Sequence, residues 1–275
     1  VLRPTIKWGV KPGSYTFTTE LFAPLLAVVC VGNLDDALRV ANSSEFGLTS
    51  GLQSLDESEQ LKWKNTIEAG NLYINRGITG AIVSRQPFGG MKRSAFGAGI
   101  KAGGPNYAVS FMEVEEVHTL EGEDLLLAAE KSYLQAWETE FSIEKDIHQI
   151  HGESNIFRYL PVKKMVLRVL DDDNLIDILM VLKAAEISGV KMAVSCSADS
   201  PFVTLLKSKT GKKELIIEDS LAFISRMGQY DRIRTLGSDL PEDMVRKAAE
   251  TGVYIADRRP LTEGLLELIH YRSEE

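Results

Sequence analysis

The sequence predicts an α/β fold in two segments that are joined by an acidic stretch. In both segments, apolar runs typical of strands alternate with stretches that carry helix-capping residues. Charge is unevenly distributed, because Thr119–Ser154 holds two basic and nine acidic residues whereas residues 1–118 hold eleven of each. We therefore expect domains over 1–118 and 156–275, joined by a solvated helical connector over 119–155.

The first segment reads as a strand, two capped helices and another strand. Its apolar run is typical of a strand that is covered on both faces, and this order of elements favours an α/β sheet. The predicted elements are a strand over Leu25–Val31, a helix over Leu34–Ala41 capped by Asn33, a helix that begins at Asp56 with Glu59 placed as in a capping box and ends before Gly70, and a strand over Leu72–Asn75.

The last segment repeats this alternation more regularly. Strands are predicted over Met165–Leu170, Val190–Ser195, Leu215–Glu218, Ile233–Leu236 and Val253–Ala256, with helices over Leu175–Ser188, Leu221–Met227 and Pro241–Thr251. Five strands alternating with helices predict a doubly wound, Rossmann-like domain.

Composition excludes several classes of protein. The 275 residues carry a net charge of −8, so binding of nucleic acid through a broad basic surface is not expected. The longest apolar run, Leu21–Val31, is interrupted by Pro24 and is too short for a membrane span. Two cysteines fit a reducing compartment, which predicts a cytoplasmic protein. Because the chain starts at Val1 directly in strand-like sequence, we also expect it to be a fragment of a longer polypeptide.

Two glycine-containing stretches partly match phosphate-binding loops. The pattern Gly97-x-Gly99-x-x-x-Gly103 is one residue longer than the dinucleotide fingerprint and follows no predicted strand. Gly211-Lys212 lacks the rest of a P-loop and is interpreted as a charged turn. The nucleotide site of the last domain is therefore expected to be empty.

The cysteines and histidines give weak signals. Cys30 lies in an apolar strand, where burial would disfavour a thiolate, and Cys196 ends a strand without a histidine nearby in the sequence. Neither is predicted to be a nucleophile. Glu144, His148 and His151 could share a helical face and bind a metal ion, but a solvated helix face explains them equally well, so no metal is assigned.

The long loop after Leu72–Asn75 carries the most informative pattern. The backbone amides of Gly80 and Ala81 could bind a carboxylate, and Phe88 could contact an apolar stem. A glycine-rich turn whose Pro87 and Phe88 simply pack in the core remains the alternative.

Several motifs, in order along residues 1–117, resemble the C-terminal half of the catalytic domain of aldehyde dehydrogenases. They are Thr19–Pro24, Asp36–Leu38 with Ala41–Asn42, Phe46–Gly51, Glu68–Asn71 with Asn75, and Pro87–Ser94. Thr79–Ala81 and Gln86–Tyr107 resemble the Δ1-pyrroline-5-carboxylate (L-glutamate γ-semialdehyde) dehydrogenases. The tail Arg259–Tyr271 is similar to that of bifunctional proline utilisation A proteins with an extra C-terminal domain.

The resemblance implies roles for five residues. Glu20 would accept hydrogen bonds from the nicotinamide ribose of NAD, and Phe22 would pack beside that ribose. Gly80 and Ala81 would bind the carboxylate of L-glutamate γ-semialdehyde through their N–H groups, and Phe88 would contact its aliphatic part. An exposed carboxylate at a strand end remains the alternative for Glu20.

The same resemblance places the remaining machinery elsewhere. The catalytic cysteine, the general-base glutamate and the first NAD-binding domain would lie upstream of Val1, and FAD would bind only there. We therefore expect no catalytic residue in this chain, which would be inactive alone. It would act with the rest of its parent polypeptide in oxidising the semialdehyde to glutamate. It could also form a homodimer. Two alternatives stay open: a non-catalytic pseudo-subunit that covers the dehydrogenase and its intermediate channel, and a dehydrogenase for another aldehyde.

Overall fold

The computed structural model describes residues 3–117, 119–210, 214–237 and 239–275, which form two compact units. The first unit comprises Val1–Ala81 and Phe88–Ala95, and the second comprises Ile82–Pro87 and Phe96–Glu275. Val1, the boundary residue His118 and the Gly211-Lys212 turn lie outside the described residues. Within the described ranges, no helix is both long and apolar enough to cross a membrane.

The first unit contains short helices and small sheets. Its helices are α1 (Tyr15–Thr18), α2 (Leu34–Asn42) and α3 (Glu57–Thr66), and its strands are β1 (Thr5–Trp8), β2 (Leu25–Val28), β3 (Phe46–Gly47), β4 (Thr49–Leu52), β5 (Asn71–Ile74) and β6 (Met91–Lys92). The pairs β1–β2 and β4–β5 are parallel, and β3–β6 is antiparallel.

Both predicted helices of this unit are confirmed, with their predicted N-caps. The side chain of Asn33 accepts a hydrogen bond from the Asp36 N–H, and Asp56 caps α3 through the N–H groups of Ser58 and Glu59. The capping box is only half formed, because the Ser54 hydroxyl accepts the hydrogen bond of the Asp56 N–H and donates to the Glu59 carboxylate.

The expected burial of the first strand is wrong. β2 ends at Val28, and β1 is its only neighbour among the described strands. Leu26 is 58% exposed, and Cys30, which lies beyond the strand, is exposed as well. An apolar sequence predicted the strand correctly, but burial also requires covering elements, which this sheet lacks within the described residues.

The second unit is built on the predicted doubly wound sheet. Its strands are β7 (Tyr159–Pro161), β8 (Met165–Arg168), β9 (Met192–Cys196), β10 (Leu215–Ile217), β11 (Arg232–Arg234), β12 (Tyr254–Ala256) and β13 (Arg272–Glu274), and its helices are α4 (Gly122–Ala136), α5 (Leu175–Ile187), α6 (Val203–Lys209), α7 (Ser220–Arg226), α8 (Glu242–Thr251) and α9 (Gly264–Glu267). The main sheet is parallel with the order β10-β9-β8-β11-β12, so β8 lies at its centre. Its five strands are those predicted, whereas α6 was not predicted.

The acidic segment is helical over residues 122–141 and irregular after them, and its helix is not solvated on every face. Ala129, Tyr133 and Ala136 of α4 are buried in the main core of the second unit, and Phe141 follows them in a π-helical turn. These residues recur at helical spacing, so α4 has an apolar face that the net charge of the segment concealed. The domain boundaries at 118 and 155 stay predictions.

Candidate functional site

The loop after β5 leaves the strand in a defined direction. Asn75 has a φ of 56°, a left-handed conformation that asparagine tolerates better than most residues. Its side-chain Oδ1 accepts a hydrogen bond from the Ser54 N–H (2.9 Å), and its Nδ2 donates to the Ser54 carbonyl (2.8 Å). This two-point contact fixes the start of the loop against the chain that follows β4.

Tyr73 fixes the same loop five residues farther on. The buried Tyr73 side chain donates its hydroxyl hydrogen bond to the Gly80 carbonyl (2.8 Å). Between these anchors, the Ile78 side chain lies over Gly51, where a Cβ atom would be only 2.4 Å from Cγ2 of Ile78. Burial raises the pKa of Tyr73, so its hydroxyl keeps its proton and remains a donor.

The amide pair, defined as the N–H groups of Gly80 and Ala81, is available to a ligand. Both residues are exposed, and in the described part of the chain neither N–H group donates a hydrogen bond. Gly80 has a φ of 119°, which disfavours any residue with a side chain. Two adjacent exposed backbone donors whose loop is anchored at the Gly80 carbonyl are suited to binding a carboxylate.

Phe88 lies in a second anchored turn of the first unit. The Asn71 side chain accepts a hydrogen bond from the Gly89 N–H (3.2 Å), and a Cβ atom on Gly70 would lie 1.9 Å from the Gly89 carbonyl oxygen. Gly70 is therefore needed for the close approach of these two backbone segments. Phe88 itself is half-buried, and Pro87 is buried.

Glu20 and Phe22 lie before β2, where the chain enters the β1–β2 sheet. Both are exposed, Phe22 to 93%, and Phe22 has a φ of 43°. Among the described residues, no hydrogen bond, ion pair or ring contact links either of them to Gly80, Ala81 or Phe88. The structure thus resolves the predicted site into two groups in the first unit.

Polar side chains at the carboxyl edge of the second unit's sheet bind each other. Arg168 donates to the Ser195 hydroxyl (2.8 Å), which in turn donates to the Glu218 carboxylate (2.6 Å). The loop after β8 carries Asp173, whose pKa is raised to about 6 by burial. Acidic side chains at this position do not favour a phosphate ligand, and the empty nucleotide site stays a prediction.

Cys196 and the group of Glu144, His148 and His151 are the remaining candidates. Cys196 is fully buried, and burial raises the pKa of its thiol, which makes it unsuited to act as a nucleophile. Glu144, His148 and His151 do not share a helical face, because the helix has ended at Phe141. Over the described ranges, no group of three or more potential ligands could hold a metal ion.

Sequence reasoning missed the residues that hold the amide pair in place. Asn75 was part of the matched motifs, yet its contact with Ser54 joins residues 21 positions apart, and Tyr73 was treated only as strand sequence. An asparagine at the end of a strand is a signal for a left-handed turn and could have identified the first anchor.

Comparisons with known proteins show which proteins this chain is similar to. Residues 1–117 match the model of the aldehyde dehydrogenase family. Over 116 residues, the chain is 40% identical to 1-pyrroline-5-carboxylate dehydrogenase of Geobacillus kaustophilus (strain HTA426) and 38% identical to that of Staphylococcus aureus (strain JH1). These alignments cover 42% of this chain and 22% of each relative, so the chain spans less than a quarter of the relatives' length.

A solved structure resembles nearly the whole chain. Proline utilization A (PutA) from Corynebacterium freiburgense is 33% identical, with a TM-score of 0.76 over 98% of this chain and 26% of that chain. The likeness therefore extends beyond the aldehyde dehydrogenase segment. It confirms the predicted fold class and the predicted resemblance to proline utilisation A.

Proposed function

We propose that this chain is part of an NAD-dependent dehydrogenase that oxidises L-glutamate γ-semialdehyde, the open form of Δ1-pyrroline-5-carboxylate, to L-glutamate in proline catabolism. The observation that carries the proposal is the exposed amide pair of Gly80 and Ala81 on an anchored loop. The names of the relatives that match residues 1–117 support the choice of substrate.

The amide pair would bind the substrate's carboxylate. Hydrogen bonds to a charged group are stronger than those between neutral groups, and donors that are already oriented lose little entropy on binding. The half-buried Phe88 would contact the aliphatic part of the semialdehyde. Because the neutral aldehyde of the same length lacks the carboxylate, this site would discriminate against it.

Glu20 and Phe22 fit a role in binding NAD. The Glu20 carboxylate is exposed and has no hydrogen-bond partner among the described residues, so both oxygens can accept from the ribose hydroxyls. The Phe22 ring, at 93% exposure, offers an apolar surface beside them. Bound NAD would supply the hydride acceptor of the oxidation.

The nucleophile would come from outside this chain. Aldehyde oxidation in the family proceeds through a cysteine thiohemiacetal, but Cys196 is buried and Cys30 follows the Glu20 motif rather than preceding it. We therefore propose that the catalytic cysteine, the general-base glutamate and the FAD site belong to the rest of a longer polypeptide, and that this chain alone is inactive. The chain's coverage of only 22% of the curated relatives is consistent with this proposal.

The exposed apolar side chains of the β1–β2 sheet indicate where that remainder would pack. Ile6, Trp8 and Leu26 are all more than half exposed, which is unusual for three large apolar residues on one small sheet. In a fragment, the same surface could instead support a homodimer. The cytoplasmic location also stays a proposal, and it rests on cysteine usage alone.

Substitutions in the loop test the proposal in the intact polypeptide. Gly80→Val should raise the KM for L-glutamate γ-semialdehyde by about 10- to 100-fold, because each hydrogen bond to a charged group contributes about 1.5–3 kcal/mol. Ala81→Pro removes one donor and should act in the same direction. The rate of NAD reduction is measured for both variants against the semialdehyde and against butanal.

Gly77→Val is the matched control. Gly77 lies in the same loop, its φ is not positive, and a Cβ atom there would meet nothing within 4 Å. Its kinetic constants should stay near those of the unsubstituted protein. Equal efficiency with butanal and the semialdehyde before any substitution would contradict the proposed substrate and favour a dehydrogenase for another aldehyde.

The second unit suggests a different, non-catalytic role for the later part of the chain. Its polar groups at the carboxyl edge of the sheet already bind each other, and Asp173 lies where a phosphate loop would be needed. We propose that this unit acts as a pseudo-subunit that covers the dehydrogenase and its intermediate channel. An unchanged KM for the semialdehyde in Gly80→Val would favour such a structural role for the whole chain.

A further inference from the structure

The Tyr73 hydroxyl contacts the peptide group that carries one of the two proposed carboxylate donors. It donates a hydrogen bond to the Gly80 carbonyl oxygen (2.8 Å). That oxygen and the Ala81 N–H group belong to the same peptide group, which is planar and in which the C=O and N–H bonds point in opposite directions. A donor that holds the oxygen therefore also sets the direction of the Ala81 N–H group.

This peptide group needs such a contact because a glycine precedes it. Gly80 has no Cβ atom, and its φ of 119° lies in a region that residues with side chains disfavour. The peptide plane between Gly80 and Ala81 can therefore rotate more freely than one between two larger residues. Both residues are exposed, so side-chain packing does little to hold the plane. The Tyr73 hydroxyl supplies the restraint that the local sequence lacks.

Tyr73 is suited to this task because its own position is fixed. It lies in β5, which pairs in parallel with β4, and its side chain is buried. A residue on a strand is held more precisely than a residue on a loop. Its register partner in β4 is Gly51, where the absence of a side chain leaves the space that Ile78 of the loop occupies.

The Tyr73 hydroxyl stays protonated at neutral pH. Burial raises the pKa of Tyr73 above its ordinary value of 10.0, although the Arg76 guanidinium, 5.7 Å from the ring centre, opposes that rise. A carbonyl group that accepts a hydrogen bond is polarised, which makes the N–H group of the same peptide a stronger donor. The hydroxyl would thus both orient and strengthen the Ala81 donor.

We infer that Tyr73 is a positioning residue for the carboxylate of the substrate and acts through the Gly80–Ala81 peptide group. The inference rests on the proposed function and adds to it a residue that would not touch the substrate. The carboxylate would accept a hydrogen bond from the Ala81 N–H group, whose direction Tyr73 sets from the other end of the same peptide group. Recognition of this kind depends on donors held within a fraction of an ångström, so a freely rotating peptide group would bind more weakly.

The expected kinetic signature is specific to a positioning role. The amide pair would hold the carboxylate alike in the ground state and in the transition state, so Tyr73→Phe should raise KM and leave kcat nearly unchanged. Butanal has no carboxylate, so its KM should not change. A variant that folds poorly would instead lose activity towards both aldehydes, and that result would overturn the inference.

Tyr73→Phe and Gln53→Ala form the matched pair that tests the inference in the intact polypeptide. Each removes a neutral hydrogen bond from a side chain to a carbonyl of the same loop, because Gln53 Nε2 donates to the Arg76 carbonyl (3.0 Å). Only the Tyr73 bond ends on the peptide group of the Ala81 donor. Tyr73→Phe should raise the KM for the semialdehyde about 3- to 10-fold, the effect of one neutral hydrogen bond. Gln53→Ala should be nearly neutral, and equal effects of the two substitutions would contradict a role through the shared peptide group.

A double substitution measures the coupling between the two residues. Ala81→Pro lacks the N–H group that Tyr73 orients, so adding Tyr73→Phe to it should raise the KM for the semialdehyde no further. If the two substitutions instead multiply each other's effect on KM, Tyr73 does not act through the Ala81 donor.

A third measurement requires no activity. In nuclear magnetic resonance spectra of the 275-residue chain, Tyr73→Phe should shift the amide nitrogen and proton resonances of Ala81 more than those of Gly80, whose N–H belongs to the preceding peptide group. If the unsubstituted polypeptide does not oxidise the semialdehyde, the proposed function fails, and these resonances still show whether Tyr73 orients the peptide group. In an active polypeptide, the inference is overturned if Tyr73→Phe leaves the KM for the semialdehyde unchanged or shifts Ala81 no more than Gly80.

Discussion

The two units contain strands that look alike in sequence and differ in burial. β2 and β8 are both short apolar runs, yet Leu26 of β2 is 58% exposed, whereas Leu167 of β8 is completely buried. β8 is paired on both sides, by β9 and β11, whereas β2 is paired only with β1 among the described strands. Apolar sequence therefore predicts a strand, and the elements beside and above it decide whether the strand is buried.

The two cysteines show the same contrast. Cys196 ends a strand of the five-stranded sheet and is buried in the main core, whereas Cys30 follows β2 and is exposed. The β1–β2 region of the first unit thus has exposed apolar surface, whereas the second unit has a buried, closely packed core. This difference predicts where substitutions will destabilise the protein.

The largest effect is expected from the buried ion pair of the second unit. Glu267 binds Arg234 (3.1 Å) and also accepts hydrogen bonds from Tyr271 and the Leu261 N–H. Glu267→Ala would leave the buried Arg234 guanidinium without its carboxylate partner and should reduce the free energy of unfolding by about 3–5 kcal/mol. Urea unfolding measures this loss, with the unfolding of each unit monitored by hydrogen exchange of its peptides.

The exposed pair Lys247–Glu250 provides the control for that substitution. Glu250→Ala should change the free energy of unfolding by less than about 0.5 kcal/mol, because solvent screens the pair. Equal effects of the two substitutions would mean that the C-terminal segment is not packed as described.

Core truncation compares the two strands directly. Leu167→Ala should cost about 2–5 kcal/mol, since it leaves a cavity in a closely packed core. Leu26→Ala should cost less than about 1 kcal/mol in the isolated chain, because the side chain is already more than half exposed. Chemical denaturation of both variants gives the two values.

The Leu26→Ala result also reports on the partner of the first unit. A large cost for Leu26→Ala in the 275-residue chain would show that β2 is covered in solution by a second copy, which sedimentation would detect. If the cost is large only in the intact polypeptide, the sheet packs against the remainder of that polypeptide.

The smallest of the three effects depends on pH. Burial lowers the pKa of His270 to about 4, whereas the unfolded chain has the ordinary value near 6.5. The folded protein therefore binds this proton less readily, so the contribution to stability is present above pH 6.5 and is lost as the pH falls towards 4. Glu267 and the guanidinium groups of Arg234, Arg232 and Arg258 act on His270, with opposite signs.

His270→Phe should remove this dependence while keeping the ring that stacks on Tyr254. The difference in the free energy of unfolding between the variant and the unsubstituted chain is measured at pH 8 and at pH 5. On going from pH 8 to pH 5, this difference should shift in favour of the variant by about 2 kcal/mol. His151, which is exposed, serves as the control histidine. Because residues 3–117 contain no histidine, a matching shift in the first unit would contradict the assignment.

Much of the local structure was predictable from the sequence. Asn33 and Asp56 cap their helices as predicted, because a cap is a hydrogen bond between residues two or three positions apart. The reciprocal half of the capping box failed because the Ser54 hydroxyl competes for the same groups. Gly80 and Ala81 are exposed, as residues of glycine-containing loops usually are, and their binding of a carboxylate stays a prediction.

The parts of the site that were not predictable depend on distant residues. Asn75 binds Ser54 and Tyr73 binds the Gly80 carbonyl, and neither pairing leaves a periodic signal in the sequence. The burial of α4 was not predicted for a different reason. The net charge of a segment does not show whether its apolar residues lie on one face of a helix.

The sequence by itself determined the alternation of strands and helices, the helix caps and the glycine-containing loop with its amide pair, because these features follow from backbone sterics and nearby hydrogen bonds. Only the tertiary structure decided which apolar strand is buried, which cysteine is accessible and which residues anchor the loop before Gly80. Those outcomes depend on which surfaces meet when distant segments pack, and a side chain's own chemistry does not specify its neighbours.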